Sequence, residues 1–246
     1  MKILKNSLVI LIFTIFGCSN DQSNLDIITE EENIHINQTN SISNYSLEEI
    51  LNGIRKWDSL RSNPDELLQH FENYNALNLD ISQFPQGNTL HAYACILNGE
   101  LKFAVISEVY DSESYQDSLI DYIKIVDLHY TDIAVLTEQT YESYTFPLPT
   151  QYIQAADAIN RIEDWNVNFE NWLSNTTSVY QGFHMPTYSL QAQDYTIYLG
   201  LKSNIGSPNI KDADLVIDSN NGLFYDTVAG FPRPGRQGKY YLLELI

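Results

Sequence analysis

Cysteine and methionine each occur twice in 246 residues, and Lys and Arg together supply 13 side chains against 32 Asp and Glu. Two cysteines exclude a disulfide-dense scaffold and a Cys-rich zinc pattern. The shortage of basic residues leaves a formal net charge of -19. Such a surface repels phosphate, so nucleic acid is excluded as a partner and anionic headgroups are disfavoured. Long apolar runs are missing as well. The run at 8–16 is about nine residues, whereas a membrane-crossing helix needs about 20. Catalytic signatures are equally scarce: there is no G-x-S-x-G, no GxGxxG or GxxxxGK[ST] phosphate loop and no H-E-x-x-H. No cofactor is expected, and the balance weighs against an enzyme without deciding the matter.

The N-terminus carries the clearest signal. Lys2 and Lys5 precede the apolar run, which closes on Ile15-Phe16-Gly17-Cys18. A basic segment, an apolar segment and a small residue before a processing point form the pattern of an export signal. An aliphatic residue three positions before Cys18 and a glycine directly before it resemble the lipobox of bacterial lipoproteins. Phe16 departs from that family, which more often has a smaller residue there. The resemblance covers residues 1 to about 22 and implies that 1–17 is a signal peptide cut off after Gly17. It further implies that Cys18 receives diacylglycerol through a thioether and that the new amino terminus is acylated. Because each buried methylene contributes roughly 0.8 kcal/mol, two or three fatty chains such as palmitate anchor durably without a transmembrane helix. Ser19 stands where an inner-membrane retention aspartate would be, so the outer membrane is the expected address.

Residues 18–44 contain no aromatic residue and are rich in Asn, Ser, Gln, Thr and acidic side chains, the composition of a solvated tether. From 45 onward the chain changes character. Hydrophobic residues make up 43% and aromatics 12% of the sequence, enough for a packed core in the remaining 202 residues. Ser46 followed by Glu49 is a capping box, and Leu47, Ile50, Leu51, Ile54, Trp57 and Leu60 recur at helical spacing, with Gly53 a tolerated weak point. Asn63-Pro64 opens a second helix with Leu67, Leu68, Phe71 and Tyr74 inward. Asn98-Gly99 between apolar runs at 89–97 and 101–110 predicts a hairpin, because both residues tolerate positive φ. A strand is expected at 119–128, with a helix as the alternative. A long helix is expected over 152–174, and strands at 196–201, 215–217, 223–228 and 240–245. Helices followed by antiparallel strands thus occur in both halves. The expected class is α+β, a helical hairpin and a long helix packed on antiparallel sheet, as one unit or as two subdomains split near 145–150.

Candidate sites are few. Asp127, His129 and Asp132 lie close together at a strand end, and a carboxylate-oriented imidazole there could exchange protons. A strand entering a polar turn explains them as well. Asp212, Asp214, Asp218, Asn220 and Asp226 surround a second Asn-Gly turn, but their spacing fails the calcium loop and no metal is expected. Cys95 sits in an apolar run and reads as a buried small hydrophobe. Tyr141 and Tyr144 belong to an aromatic group near the mid-chain prolines; exposed, they suit sugar stacking or a protein contact, and buried they are core. Arg233 and Arg236 lie in a Pro/Gly-rich loop able to clamp an anion or balance an acidic face. These features point to an envelope lipoprotein that is a protein- or glycan-binding module, held at the membrane through Cys18. The charge alone also permits an acidic inhibitor or immunity-type protein that neutralises a basic effector, and an envelope hydrolase is the remaining reading.

Overall fold

The computed structural model describes residues 44–71, 74–138, 141, 151–176, 179–204, 207–220, 222–231 and 240–246. All of them fall within one compact unit, residues 40–246. The expected signal peptide, Cys18 and the tether up to residue 43 lie outside the described residues.

Helix α1 (Leu47–Leu60) begins at the expected capping box. The Ser46 hydroxyl accepts from the Glu49 backbone N–H at 3.3 Å, and the Glu49 carboxylate accepts from the Ser46 N–H at 2.7 Å. The helix buries Ile50, Leu51, Ile54 and Trp57. Gly53 proves to be a close approach, not a weak point: a Cβ there would stand 2.8 Å from Leu97 Cδ2 and 3.1 Å from the Ile96 carbonyl. Helix α2 (Pro64–Leu68) is a short turn of five residues that leads the chain to buried Phe71. Asn63 donates its side chain to Glu66 and does not cap the helix backbone.

Among the described residues ten antiparallel strands follow, interspersed with one long helix, α5, and several short ones: β1 (Ala76–Asp80), β2 (Thr89–Leu97), β3 (Glu100–Ser107), α3 (Leu119–Tyr122), β4 (Lys124–His129), α4 (Ala134–Glu138), β5 (Tyr152–Ile153), α5 (Ala155–Asn175), β6 (Gly182–Pro186), β7 (Asp194–Asn204), β8 (Ser207–Asp218), β9 (Phe224–Asp226), β10 (Val228–Phe231) and α6 (Tyr241–Glu244). The Asn98-Gly99 hairpin has φ of 52° and 87° at its two turn residues, as expected of a type I′ turn. The expected strand at 119–128 is split, its first residues forming α3 with Leu119 buried and only the remainder pairing with β3. Helix α5 starts later than its periodicity predicts, because Tyr152 and Ile153 pair with Tyr225 and Phe224. The terminal segment is helical where a strand is expected, with Tyr240, Tyr241 and Leu242 buried in succession.

The strand order is β10-β6-β2-β3-β4-β1-β7-β8-β9-β5. The four strands from before 145–150 therefore form a central block flanked on both sides by strands from after it, all in one sheet. Consecutive strands β9 and β10 stand near opposite ends of that order with Thr227 alone between them, so the sheet curls until its ends meet. The Thr227 hydroxyl ties the seam by accepting from the Leu215 N–H at 3.4 Å.

The curled sheet buries both its faces. On β2, Leu90, Ala92, Ala94 and Ile96 join the largest core, with Trp57, Phe71, Trp165 and Phe183. The alternate residues Tyr93, Cys95 and Leu97 meet α1 and α6 in a second cluster. A third cluster packs Ala158 and Ile162 of α5 on Tyr198 and Val216. Each large apolar side chain fully buried in this way contributes roughly 1.5–3 kcal/mol relative to exposure. Trp57 also satisfies its ring N–H at the Tyr180 carbonyl, 2.8 Å away.

Candidate binding site

An open groove of about 430 Å³ lies where α5 passes the segment after α2 and the start of β1. Its floor is aromatic. Phe71 packs on Phe169 with ring centroids 4.5 Å apart, and Trp165 lies 4.4 Å from Phe169. These three rings are nearly fully buried. The rim differs: Tyr130 is 63% and Val167 79% exposed, and Tyr74, Glu170 and Asn171 complete it.

Asn75 holds the rim in place. Its backbone N–H donates to the His129 carbonyl at 3.1 Å, and its carbonyl accepts from the Leu199 N–H at 2.9 Å, so it continues β1 between β4 and β7. The side chain, 2% exposed, donates to the Thr131 carbonyl at 2.9 Å and to Asn166 Oδ1 at 3.0 Å, and accepts from the Thr131 N–H at 2.8 Å. The turn that carries Tyr130 is therefore pinned to both the sheet and α5. Asn166 in turn donates to the Ile162 carbonyl at 2.8 Å.

Among the described residues the groove lining contains one carboxylate, Glu170, and no Lys or Arg. An apolar floor, an exposed phenol ring and amide and carboxylate acceptors at one opening match a ligand with apolar C–H faces and peripheral hydroxyls. An anionic ligand finds no counter-charge there. Comparison with known proteins finds no family model, no curated protein and no solved structure that matches the chain.

Of the residues singled out in the sequence, Tyr144, Arg233, Arg236 and Cys18 lie outside the described residues. Tyr141 is half-buried and does not line the groove. Its ring meets Phe224 edge-on at 5.4 Å, and its hydroxyl is buried without a hydrogen-bond partner. Burial and the neighbouring Asp218 push that phenol's pKa up. It packs at the edge of the third cluster.

The Asp127–His129 pairing does not form. Asp127 binds Lys102, Asp132 accepts from the Ala134 N–H at 3.0 Å, and burial lowers the pKa of His129. The acidic group around 212–226 is also dispersed, and Arg161 explains part of it. Its guanidinium reaches Asp214 at 2.8 Å and Asp226 at 2.7 Å, and Lys202 reaches Asp226 at 2.7 Å. Asp218 accepts from the Asn220 N–H and Asp212 from Asn204. Among the described residues no three His, Cys, Asp or Glu side chains form a group able to hold a metal ion. Cys95 is fully buried, and desolvation pushes its thiol up to about 12, so it is inert as a nucleophile.

The groove escapes a sequence reading for a simple reason. Phe71, Tyr74, Trp165 and Phe169 carry the periodicity of core faces, and nothing local distinguishes a ring that ends at an opening. Asn75 and Tyr130 carry no motif at all.

Proposed function

We propose that this chain is a lipid-anchored protein of the cell envelope, outer membrane favoured, whose folded unit is a non-enzymatic module binding a neutral glycan segment in the groove beside α5. The exposed Tyr130 ring, pinned through Asn75 over an aromatic floor with Glu170 and Asn171 at the same rim, carries this reading. A polar tether behind an acylated Cys18 presents the groove clear of the bilayer.

The test is a neutral oligosaccharide array followed by calorimetry on the full-length protein in detergent. Saturable binding that weakens at least tenfold in Tyr130→Ala, with thermal stability unchanged, supports it. Failure of every neutral glycan to bind, or binding indifferent to Tyr130, refutes it. Anchoring is tested separately: Cys18→Ala moves the protein from the detergent to the aqueous phase, and retention in the detergent phase defeats the lipid assignment.

One observation favours a second reading. Six of the eight described Lys and Arg side chains (Arg55, Arg61, Lys102, Arg161, Lys202 and Lys211) are held in ion pairs, which leaves most surface carboxylates uncompensated. An acidic inhibitor of a basic effector would use such a surface. Binding of a purified basic protein that is lost with salt yet survives Tyr130→Ala would put this reading in place of the glycan one.

A further inference from the structure

The five histidines follow no metal-binding spacing in sequence, yet two of them meet across the sheet. His91 on β2 and His184 on β6 are directly opposed in the antiparallel ladder, on the face turned towards α6. Directly opposed residues have Cβ atoms about 4.5–5.5 Å apart, so both imidazoles project from the sheet side by side. Their ring centroids are 5.6 Å apart at 48°.

The surroundings of His91 set its tautomer. Asp111 accepts at Oδ2 from His91 Nδ1 at 2.6 Å and from the Tyr93 hydroxyl, and at Oδ1 from the Leu242 N–H at 3.0 Å. A carboxylate engaged by three donors places the imidazole hydrogen on Nδ1. The lone pair is then on Nε2. That atom is buried and has no hydrogen-bond partner, in a residue with 0% exposure. An unmet buried acceptor is unfavourable, and the contact with Asp111 uses only the other nitrogen of the ring. A carboxylate on one imidazole nitrogen with the other left for coordination is the arrangement that orients metal-ligating histidines.

We propose that His91 and His184 form a binding site for a zinc ion. With Zn–N bonds of about 2.0–2.1 Å and a tetrahedral angle, two imidazoles on one zinc have centroids about 5 Å apart, close to the distance found here. His184 is half-buried, which gives the ion a route from solvent, and Tyr240 packs on His91 with ring centroids 4.5 Å apart at a tilt of 45° and its hydroxyl 3.5 Å from His184 Nδ1. With two protein nitrogens, the other positions go to water or an external ligand, and the affinity falls short of a structural zinc site.

The experiment uses the full-length, untagged protein stripped with chelator. Zinc is titrated by calorimetry and cobalt(II) by visible absorption, where four-coordinate cobalt gives intense d–d bands. One equivalent of either metal is expected to bind. His184→Gln is a half-buried change that preserves the fold, and it lowers affinity at least tenfold and removes the cobalt bands. His70→Gln and His129→Gln leave both intact. Asp111→Asn, a positioning change, weakens zinc about 10–100-fold while the cobalt bands persist at saturation. Absence of saturable binding, or binding that His184→Gln leaves unchanged, overturns the assignment.

Discussion

Asp214 offers a quantitative test of how this fold tolerates charge. Its carboxylate is 0% exposed at the junction of α5 with β8, held by Arg161 at 2.8 Å and by the Thr227 hydroxyl at 3.0 Å. Burial outweighs these partners. Desolvation, opposed by Lys202 and Arg161 and reinforced by Asp226, raises the carboxyl from its ordinary 3.8 to about 6. The folded state therefore binds this proton more tightly than the unfolded chain. Stability from this group is fully present below about pH 4 and is lost as pH rises through about 6, the reverse of the usual carboxylate. Moving a carboxyl from 3.8 to about 6 corresponds to roughly 3 kcal/mol. Asp214→Asn keeps the shape and the acceptor for Thr227 while abolishing the charge. Urea unfolding followed by fluorescence of the three buried tryptophans at pH 4, 5, 6 and 7 should show variant and wild type nearly equal at pH 4. The variant should then gain by roughly 3 kcal/mol at pH 7. Subtracting the variant cancels the titrating groups that do not interact with Asp214. A difference that stays flat with pH, or that favours wild type increasingly as pH rises, would show that Arg161 and Lys202 more than compensate the desolvation.

Three further outcomes follow from the packing. Gly53→Ala improves helix propensity by about 1 kcal/mol but drives a methyl into Leu97 and the Ile96 carbonyl; overpacking of about 1–3 kcal/mol should dominate, seen as a lower urea midpoint with an unchanged slope. Asn75→Ala leaves the Thr131 N–H and Asn166 Oδ1 without their partner and should cost about 1–3 kcal/mol in thermal unfolding; at temperatures where the variant is folded it should also weaken any groove ligand, since the Tyr130 turn loses its pin. Ser46→Ala removes the hydroxyl half of the capping box and should cost about 1 kcal/mol, with faster amide exchange confined to the first turn of α1.

The readings that hold are those whose physics is local. A serine three residues before a glutamate can satisfy its own helix end wherever that helix packs, and Asn-Gly adopts positive φ in any hairpin. The readings that fail mark where local physics stops. Leu119–Tyr122 alternates well enough for a strand but closes into a helical turn whose Leu119 fills the second cluster. β1 passes unnoticed because its five residues gain their identity from two distant partners, β4 and β7. Gly53 looks like a flaw until β2 is seen crossing beneath it.

From the sequence alone came the lipobox resemblance, the acidic balance, the α+β class, the first helix, the first hairpin and the burial of Cys95. Each rests on composition or on contacts within a few residues. Tertiary structure alone decided that ten strands curl into one sheet, that Asn75 pins Tyr130 over an aromatic groove, and that Arg161 takes up Asp214 and Asp226. It also decided that His91 meets His184 across the ladder, with Asp111 behind. These partners lie from 20 to more than 90 residues apart, and strands buried on both faces lose the alternation that would betray their neighbours. Periodicity shows that a side chain is buried; only the register of the sheet shows beside what.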